Sequence, residues 1–430
     1  MDKTQLRRWL IPHWGKDTQA IAPGLYHFMR ASDGLYTRFH LRVEPDGRGL
    51  LLANAAAAAR LSPTGVLMAK GLLEEQEEQE IVTAVQSRFR GASPDMVQAD
   101  LQRVSGIIHT LLAPEDNYPI FNLDELNLTV FESQLLAPLE VSIPLAAPEQ
   151  LVPLLDRLWQ VGIPHVTFLL PENPDLAYLV QAVERAEDLG MIAGARGRAT
   201  DLVQSKLLRD VAQAGIDHMT VLVASATAEI HDALLGREDY GFVLPLLADI
   251  QANEVYPMVE IPLVESTLPG LAETLTTLQE RGVHTFSFFA IVAPDGMDDV
   301  VRAGALPAQA MPQTAGWIEE MADALDVRFL WQPPVQRDPA QTLAAQVVHG
   351  PRCMGDVAAR VEPDGRVIPP RGPYQSAGNV LTDEWQTIWQ HDAFTRYRER
   401  VAAPTRCADC PGLALCAADC PREAAGWAYQ

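Results

Sequence analysis

Apolar residues recur along this chain with two different periods, and the switches between them mark out three zones. In the first, YTRFHLRVEPDGRGLLL (residues 36–52) carries apolar runs on either side of Asp46-Gly47. Gly tolerates positive φ, so this dipeptide suits a tight turn and predicts a β-hairpin. Helical periodicity follows over residues 55–59, 64–73, 75–89 and 94–112, with Ser62 placed to cap the second and Pro63 at its first position. Pro, Asp and Asn crowd residues 114–124, which read as a linker.

The middle zone alternates short β-branched runs with amphipathic stretches. LEVSI, HVTFLL, MIAGA, MTVLV, MVEI, TFSFFAIV and VRFLW predict strands at residues 139–143, 165–170, 191–195, 219–223, 258–261, 285–292 and 327–331. Between them lie predicted helices over 149–160, 174–189, 202–214, 241–253, 268–281 and 313–324. A strand-then-helix cadence of roughly 25 to 35 residues is the signature of parallel strands joined by helical crossovers. Six to seven such units fit a partial β/α barrel or a doubly wound open sheet, which periodicity alone does not separate. No G-x-G-x-x-G follows the first strand, which weakens a dinucleotide-binding reading.

After about residue 341 the pattern breaks into turns and prolines (EPDGRVIPPRGPY, residues 362–374), then a short helix with Trp385, Ile388 and Trp389 on one face, then a cysteine-rich tail. Little regular core can be built there, and small domains of that kind need a metal or cluster to hold them.

Composition narrows the function. The chain has 430 residues, 48% of them hydrophobic, and 33 Lys+Arg against 56 Asp+Glu, a formal net charge of −23. That is globular composition, with a charge that repels nucleic acid and anionic membranes. No apolar run approaches the roughly 18 residues that span a bilayer. The N-terminal MDKTQLRRWLIPHWGKD lacks the apolar stretch of a secretory signal, so a cytoplasmic, reducing location is expected.

All five cysteines lie in the last 78 residues, none before Cys353. An odd number in a reducing compartment favours a metal or cluster site over disulfides. Cys407, Cys410, Cys416 and Cys420 form Cys-x2-Cys-x5-Cys-x3-Cys, a soft four-sulfur shell suited to Fe–S or to Zn.

These spacings carry a resemblance. Cys353, eleven residues, Gly365, then the Cys-x2-Cys-x5-Cys-x3-Cys run is similar to the SPASM domain, the C-terminal auxiliary-cluster domain of many radical SAM enzymes. EPDGRVIPP (residues 362–370), Gly378-Asn379, Leu381, Trp385, Ile388-Trp389, Phe394 and Arg398 match it as well. The resemblance implies Fe–S rather than Zn. The family pattern has seven cysteines and two [4Fe–4S] clusters, whereas here Pro370 stands at the second position and the sequence ends at Gln430, before the seventh. Carried over, Cys407, Cys410 and Cys416 hold one cluster, and its fourth ligand is Cys420, Cys353, an oxygen ligand or a small molecule. One iron–sulfur cluster, of the 4Fe–4S type, is therefore expected, with Zn as the alternative.

The resemblance extends to the middle zone, which looks like a radical SAM partial (β/α)6 barrel. Leu170-Pro171-Glu172-Asn173 stands where the family has Gly-Gly-Glu-Pro, and His231-Asp232-Ala233-Leu234-Leu235-Gly236 resembles its His-Asp-x-x-x-Gly after the fourth strand. The family's catalytic Cys-x3-Cys-x2-Cys loop is replaced by Pro144-Leu145-Ala146-Ala147-Pro148, without a thiolate. Leu170 brings a Cβ and Pro171 no N–H where backbone should approach the methionine amino group. Glu172 alone remains as a cofactor-binding candidate, and cleavage of S-adenosylmethionine is not expected.

Other ionisable residues are weaker candidates. His231-Asp232 could orient a ligand, though at a helix start the carboxylate is expected to support the N-terminus. Glu260, on the fifth strand, could bind a cation but is expected to be solvated or paired; Arg196 and Arg198 could grip an anion at the barrel mouth but read as a solvated loop. EEQEEQE (residues 74–80) is a wet helix face. The first zone resembles the winged-helix element that binds leader peptides in peptide- and cofactor-modification pathways, through the Asp46-Gly47 hairpin, Leu50-Leu51-Leu52, Asn54, Leu61 and the helix over 97–111. A generic packing domain is the other reading. A peptide would add a strand to the hairpin edge.

The expected fold class is thus α/β, in three parts: a β-hairpin/winged-helix domain over residues 1–115, a radical-SAM-like barrel over 116–335 and a SPASM-like iron–sulfur domain over 336–430. The expected function is an iron–sulfur-binding homologue that no longer cleaves S-adenosylmethionine and serves as a binding partner for a peptide or an enzyme. The alternatives are an enzyme using the tail cluster's open iron as Lewis acid or electron carrier, and a structural Zn protein.

Overall fold

The computed structural model describes residues 21–32, 35–53, 57–89, 91–112, 137–203, 205–290, 292–293, 304–331, 342, 344–345, 358–368 and 376–394. The chain divides into two compact units, residues 1–122 and 123–430.

The first unit is an antiparallel sheet followed by three helices. Strands β1 (Gly24–Ser32), β2 (Leu35–Val43), β3 (Gly49–Ala53) and β4 (Ala57–Leu61) pair in chain order. The predicted hairpin is β2–β3. Its turn closes through Gly47, at φ 84°, whose N–H donates to the Glu44 carbonyl at 2.9 Å. Residues 57–59, expected as the end of a helix, belong instead to β4, paired with β3 in the register Leu51↔Ala59. Alanine favours helix by only a fraction of a kcal/mol per residue, and a five-residue stretch cannot meet the cost of helix nucleation, so ladder pairing decides. Helices α1 (Pro63–Leu73), α2 (Glu78–Arg88) and α3 (Pro94–Leu112) follow. Ser62 caps α1 as predicted, its Oγ accepting from the Gly65 N–H at 3.1 Å. Phe39, Leu41, Val43, Leu51, Val66, Met68, Ile81, Val85 and Leu101 form the core between one sheet face and the helices. The linker over 114–124 lies outside the described residues.

The second unit is built on parallel strands β5 (Glu140–Pro144), β6 (His165–Leu169), β7 (Ile192–Gly197), β8 (His218–Leu222), β9 (Tyr256–Leu263) and β10 (Thr285–Ala290). A small parallel pair, β11 (Val292–Ala293) with β12 (Leu306–Pro307), precedes the seventh barrel strand, β13 (Arg328–Trp331). The sheet order β13-β10-β9-β8-β7-β6-β5 runs monotonically along the chain. A doubly wound sheet reverses its order part-way; a monotonic one is a barrel wall. The structure thus settles the alternative that periodicity left open: the middle zone is a partial β/α barrel.

The crossovers are α4 (Pro148–Gln160), α5 (Leu176–Asp188), α6 (Ala199–Leu202) with α7 (Ser205–Gln213), α8 (Ala228–Leu235) with α9 (Tyr240–Ala252), α10 (Leu271–Gln279) and α11 (Met311–Leu325). Helix α6 lies just ahead of the helix expected over 202–214, and α8, expected only as a helix start at His231-Asp232, begins at Ala228. Their apolar faces cover one side of the sheet: Leu151, Leu154, Leu155 and Leu158 of α4, spaced i, i+3, i+4, i+7, join Val141, Ile143, Val166, Phe168, Ala193, Ala195, Val221 and Ile261 in one core. The alternate strand residues face the other way and are largely polar.

The tail continues this sheet. Strand β14 (Ala358–Val361) pairs parallel with β5, and β15 (Arg366–Ile368) and β16 (Gly378–Asn379) follow antiparallel. The heptapeptide RVEPDGR occurs twice, at residues 42–48 and 360–366, and folds the same way each time. Glu44 N–H reaches the Arg48 carbonyl at 2.8 Å and Glu362 N–H the Arg366 carbonyl at 2.8 Å, and Gly365, at φ 89°, takes the part of Gly47. Helix α12 (Trp385–Trp389) buries Trp385, Ile388 and Trp389 as predicted, the two indoles stacked with centroids 5.9 Å apart.

Each fully buried α4 leucine contributes about 1.5–3 kcal/mol. Leu155→Ala is expected to lower stability by roughly 2–5 kcal/mol, read as a lower urea midpoint of the barrel. Leu234→Ala, at an exposed site on α8, should change it by less than about 0.5 kcal/mol.

Candidate functional site

The polar face of the barrel wall starts from a gap in one strand. His165 opens β6 and His218 opens β8, with β7 between them. Gly194 on β7 stands beside His218 in register, and a Cβ there would lie 2.0 Å from the His218 ring. The missing side chain lets the two imidazoles meet, Nε2 to Nε2, at 2.8 Å in edge-on geometry. One ring donates and the other accepts, so both are neutral. Burial holds the His165 pKa down to about 3, and burial together with His165 keeps His218 far below the ordinary histidine value.

Two carboxylates share this face. The Glu140 carboxylate accepts from Thr167 Oγ1 at 2.9 Å. Burial pushes its pKa up, Thr167 and Arg196 oppose that, and the charge of Glu260 adds to it. Glu260, 1% exposed on β9, is paired with Arg196 of β7 across the intervening strand. Ser287 of β10 stands beside Glu260 in register, also 1% exposed, and its hydroxyl has no hydrogen-bond partner among the described residues.

A second network closes the mouth, at the C-terminal ends of the strands. His231 is fully buried; its Nδ1 accepts from the Ala224 N–H at 3.1 Å, so its Nε2–H donates to Asp239, at 3.1 Å. Burial alone would raise the Asp239 carboxyl, but hydrogen bonds from His231, the Thr200 hydroxyl and the Thr200 and Ala199 N–H groups hold it at about 2. Asp232 accepts from the Asp239 and Tyr240 N–H groups, each at 2.9 Å, which lowers its pKa. It therefore supports the start of α9, the next helix, rather than of its own. Arg237 ties three loops, donating to Thr200 Oγ1 and Asp201 Oδ1, each at 3.0 Å, and to exposed Glu172.

The sequence candidates thus separate. Glu172 joins the mouth network through Arg237. His231 and Asp232 have different partners and do not act as a dyad. Arg196 and Arg198, expected in a solvated loop, are instead in ion pairs, with Glu260 and with Asp201 at 3.0 Å; carboxylates on neighbouring segments outcompete water for them. Cys353, Cys407, Cys410, Cys416 and Cys420 lie outside the described residues. Sequence reading missed Glu140, His165, Thr167, His218, Asp239, Arg237 and Ser287. The signal was present in HVTFL, HMTVL and TFSFFA: a strand buried on both faces should be continuously apolar, and polar residues at every second position mark a polar inner face.

Among the described residues no three His, Cys, Asp or Glu side chains are arranged to hold a metal ion. The loop between β5 and α4 is Leu145-Ala146-Ala147, with Leu145 buried and no sulfur donor. These residues do not fit a thiolate-held catalytic cluster. The tail's thiolates do suit an iron–sulfur cluster by the chemistry of their donors.

Comparison with known proteins agrees with this division. Residues 353–411, which include Cys353, Cys407 and Cys410, match SPASM, an iron-sulfur cluster-binding domain. SuiB of Streptococcus suis bound to S-adenosylmethionine is similar in fold, with a TM-score of 0.53 at 11% identity over 91% of this chain and 94% of SuiB. SuiB bound to its precursor peptide SuiA gives 0.53 at 11% identity over 87% and 92%. Native anSMEcpe with AdoMet and the Cp18Cys peptide gives 0.48 at 12% identity over 65% and 88%. No curated protein matches the chain. The chain thus shares the fold of SuiB over most of its length and carries, over residues 353–411, a segment that matches an iron–sulfur cluster-binding domain. No helix among the described residues is long and apolar enough to cross a membrane.

Two outcomes follow from the imidazole pair. Gly194→Ala is expected to cost about 1–3 kcal/mol through overpacking against His218. The loss should be largely relieved in Gly194→Ala/His218→Ala, and additive urea-denaturation free energies would refute the assigned contact. Both imidazoles take protons in the unfolded chain below pH 6.5, whereas folded His165 takes one only near pH 3. The unfolded state then binds more protons, so this stability is present above pH 6.5 and is lost on acidification, by up to roughly 1.4 kcal/mol per pH unit for each ring. His165→Asn/His218→Asn should flatten that limb between pH 6.5 and about 4, above the range in which Asp239 contributes.

Proposed function

We propose that this protein is an iron–sulfur-binding member of the radical SAM/SPASM type that does not cleave S-adenosylmethionine and acts as a binding or partner protein in a peptide- or cofactor-modification pathway. The observation that carries this reading is the β5–α4 loop, three residues without a thiolate in a chain with no cysteine before Cys353. Leu170-Pro171 ahead of Glu172 supports it, because a Cβ and a missing N–H stand where backbone would meet a bound methionine moiety. Cys407, Cys410 and Cys416 hold one cluster of the 4Fe–4S type, with Cys420, Cys353 or an exogenous group as fourth ligand.

The first unit, in this reading, recruits a peptide by strand addition. SuiB, which is similar over most of the chain, has been seen with its precursor peptide. Because β1 covers one side of the β2–β3 hairpin and β4 the other, the added strand pairs with β1 or β4 and not with the hairpin itself. The second reading is an enzyme using the tail cluster, with an exogenous group at the fourth position as the exchangeable ligand. It predicts a cluster spectrum that changes when a small ligand is added.

The deciding experiment is anaerobic preparation with iron, sulfide and zinc quantified, EPR of the reduced protein, and incubation with S-adenosylmethionine and a strong reductant. Roughly four iron and four sulfide per chain are expected, with no 5′-deoxyadenosine formed. Formation of 5′-deoxyadenosine would overturn the reading.

A further inference from the structure

We propose that the group held by the tail cysteines is not what holds the tail together: it is a removable functional group, loaded onto a scaffold that folds without it. This rests on the cluster-binding reading above and deepens it, because it separates a group kept for chemistry or recognition from a structural staple.

The two described tail segments, residues 358–368 and 376–394, are together shorter than the roughly 40 residues below which a chain cannot bury a sufficient core of its own. A piece that small needs a metal, a disulfide or someone else's core. The structure supplies the third. Val361, Val367, Val380, Ile388 and Phe394 are fully buried, and they belong to the same apolar cluster as Val141 of β5 and Leu155 of α4 rather than to one of their own. Strand β14 is the next parallel strand of the barrel sheet, with Ala359 beside Val141 in register. From the helix side, Arg157 of α4 donates through Nε to the Val380 carbonyl at 3.1 Å.

The polar groups of the tail turns are met locally as well. Asn379 donates through Nδ2 to the Asp364 carbonyl at 2.7 Å and accepts the Leu381 N–H on Oδ1 at 2.9 Å, and Asp383 accepts the Asn379 N–H at 2.8 Å. Gly365 and Gly378 leave room for this: a Cβ on the first would lie 2.4 Å from Asn379 Oδ1, and one on the second 2.8 Å from Asp383 Oδ2. No cysteine lies within these segments, since Cys353 precedes them and Cys407 follows. A structural metal contributes its binding free energy to folding, so that the metal-free domain unfolds. Residues packed into a barrel core and hydrogen-bonded within their own turns have no such dependence. The structural Zn alternative therefore loses its physical motive, and what the cysteines bind is kept for what it does.

The test uses the full-length chain. Trp385 and Trp389, stacked with centroids 5.9 Å apart, give a local readout: the near-ultraviolet circular dichroism band that Trp385→Phe removes reports the folded tail. Two metal-free forms are compared with the loaded protein, the wild type after anaerobic chelation of iron and zinc, and Cys407→Ser/Cys410→Ser/Cys416→Ser. Both are expected to keep the band at full amplitude and to unfold the barrel in one cooperative urea transition. Trp389→Ala, which truncates the shared core, should lower the barrel's urea midpoint about as far as Leu155→Ala does. Loss of the band in either metal-free form, or an unmoved barrel midpoint in Trp389→Ala, overturns the proposal. Iron and sulfide measured before chelation test the cluster reading separately. Their absence counts against that reading alone, whereas a band that disappears with the metal counts against the self-supporting scaffold alone.

Discussion

A parallel sheet with helices on one side must do something with the other. In this protein the helix side is closed by an apolar core running from Val141 to Phe288, and the other side carries Glu140, His165, Thr167, Arg196, His218, Glu260 and Ser287. Polar groups withdrawn from water need partners, and on a sheet those partners come from neighbouring strands. Gly194 makes the arrangement possible by leaving out a side chain on the strand that separates the two imidazoles. Thr167 then ties Glu140, Arg196 ties Glu260, and the inner wall becomes a set of cross-strand pairs rather than a second apolar core. The structure depends on that pairing at the point where a barrel usually keeps its chemistry.

The mouth is organised on the opposite principle. His231, Asp239, Thr200, Asp232 and Arg237 satisfy one another and the N–H groups at the starts of α6 and α9. A saturated buried network rigidifies its loops and leaves little unspent capacity for a ligand. Ser287, whose hydroxyl is unspent, lies on the inner wall. Within one barrel, then, the mouth is a saturated network, and His231 and Asp232, adjacent in sequence, serve different partners in it.

How far this was legible in the sequence follows from the range of each interaction. Strands and crossovers read correctly because β-branched runs and helical apolar stripes are local patterns, and Asp46-Gly47 fixed the hairpin for the same reason. Alanines 57–59 read as helix because their propensity is local while their pairing to β3 is not. The long-range pairs of wall and mouth were out of reach: His165 and His218 of the wall lie 53 residues apart and Glu172 and Arg237 of the mouth lie 65 apart, with nothing in either segment naming the other. Only the alternation of polar residues in HVTFL and HMTVL hinted that one face was wet. The cysteines, by contrast, suggest a metal or cluster site through spacing alone, since four thiolates within 14 residues can close on one centre without help from the rest of the fold.

Identity near 11% with SuiB over nine-tenths of the chain shows which constraints hold such a barrel together. Outer-wall residues need only be apolar, of suitable volume and correctly spaced, a demand that many sequences meet. Loops and inner wall are under no such demand, so chemistry can be lost or exchanged there without loss of fold. A three-residue β5–α4 loop still joins its strand to its helix, and Leu170 still hydrogen-bonds through its N–H to the Arg196 carbonyl at 2.9 Å. The barrel's shape therefore carries no information about whether a reactive cluster sits in it. That information lies in the donors available at the first loop, and there the chain offers Leu145, Ala146 and Ala147, none of which can bind iron.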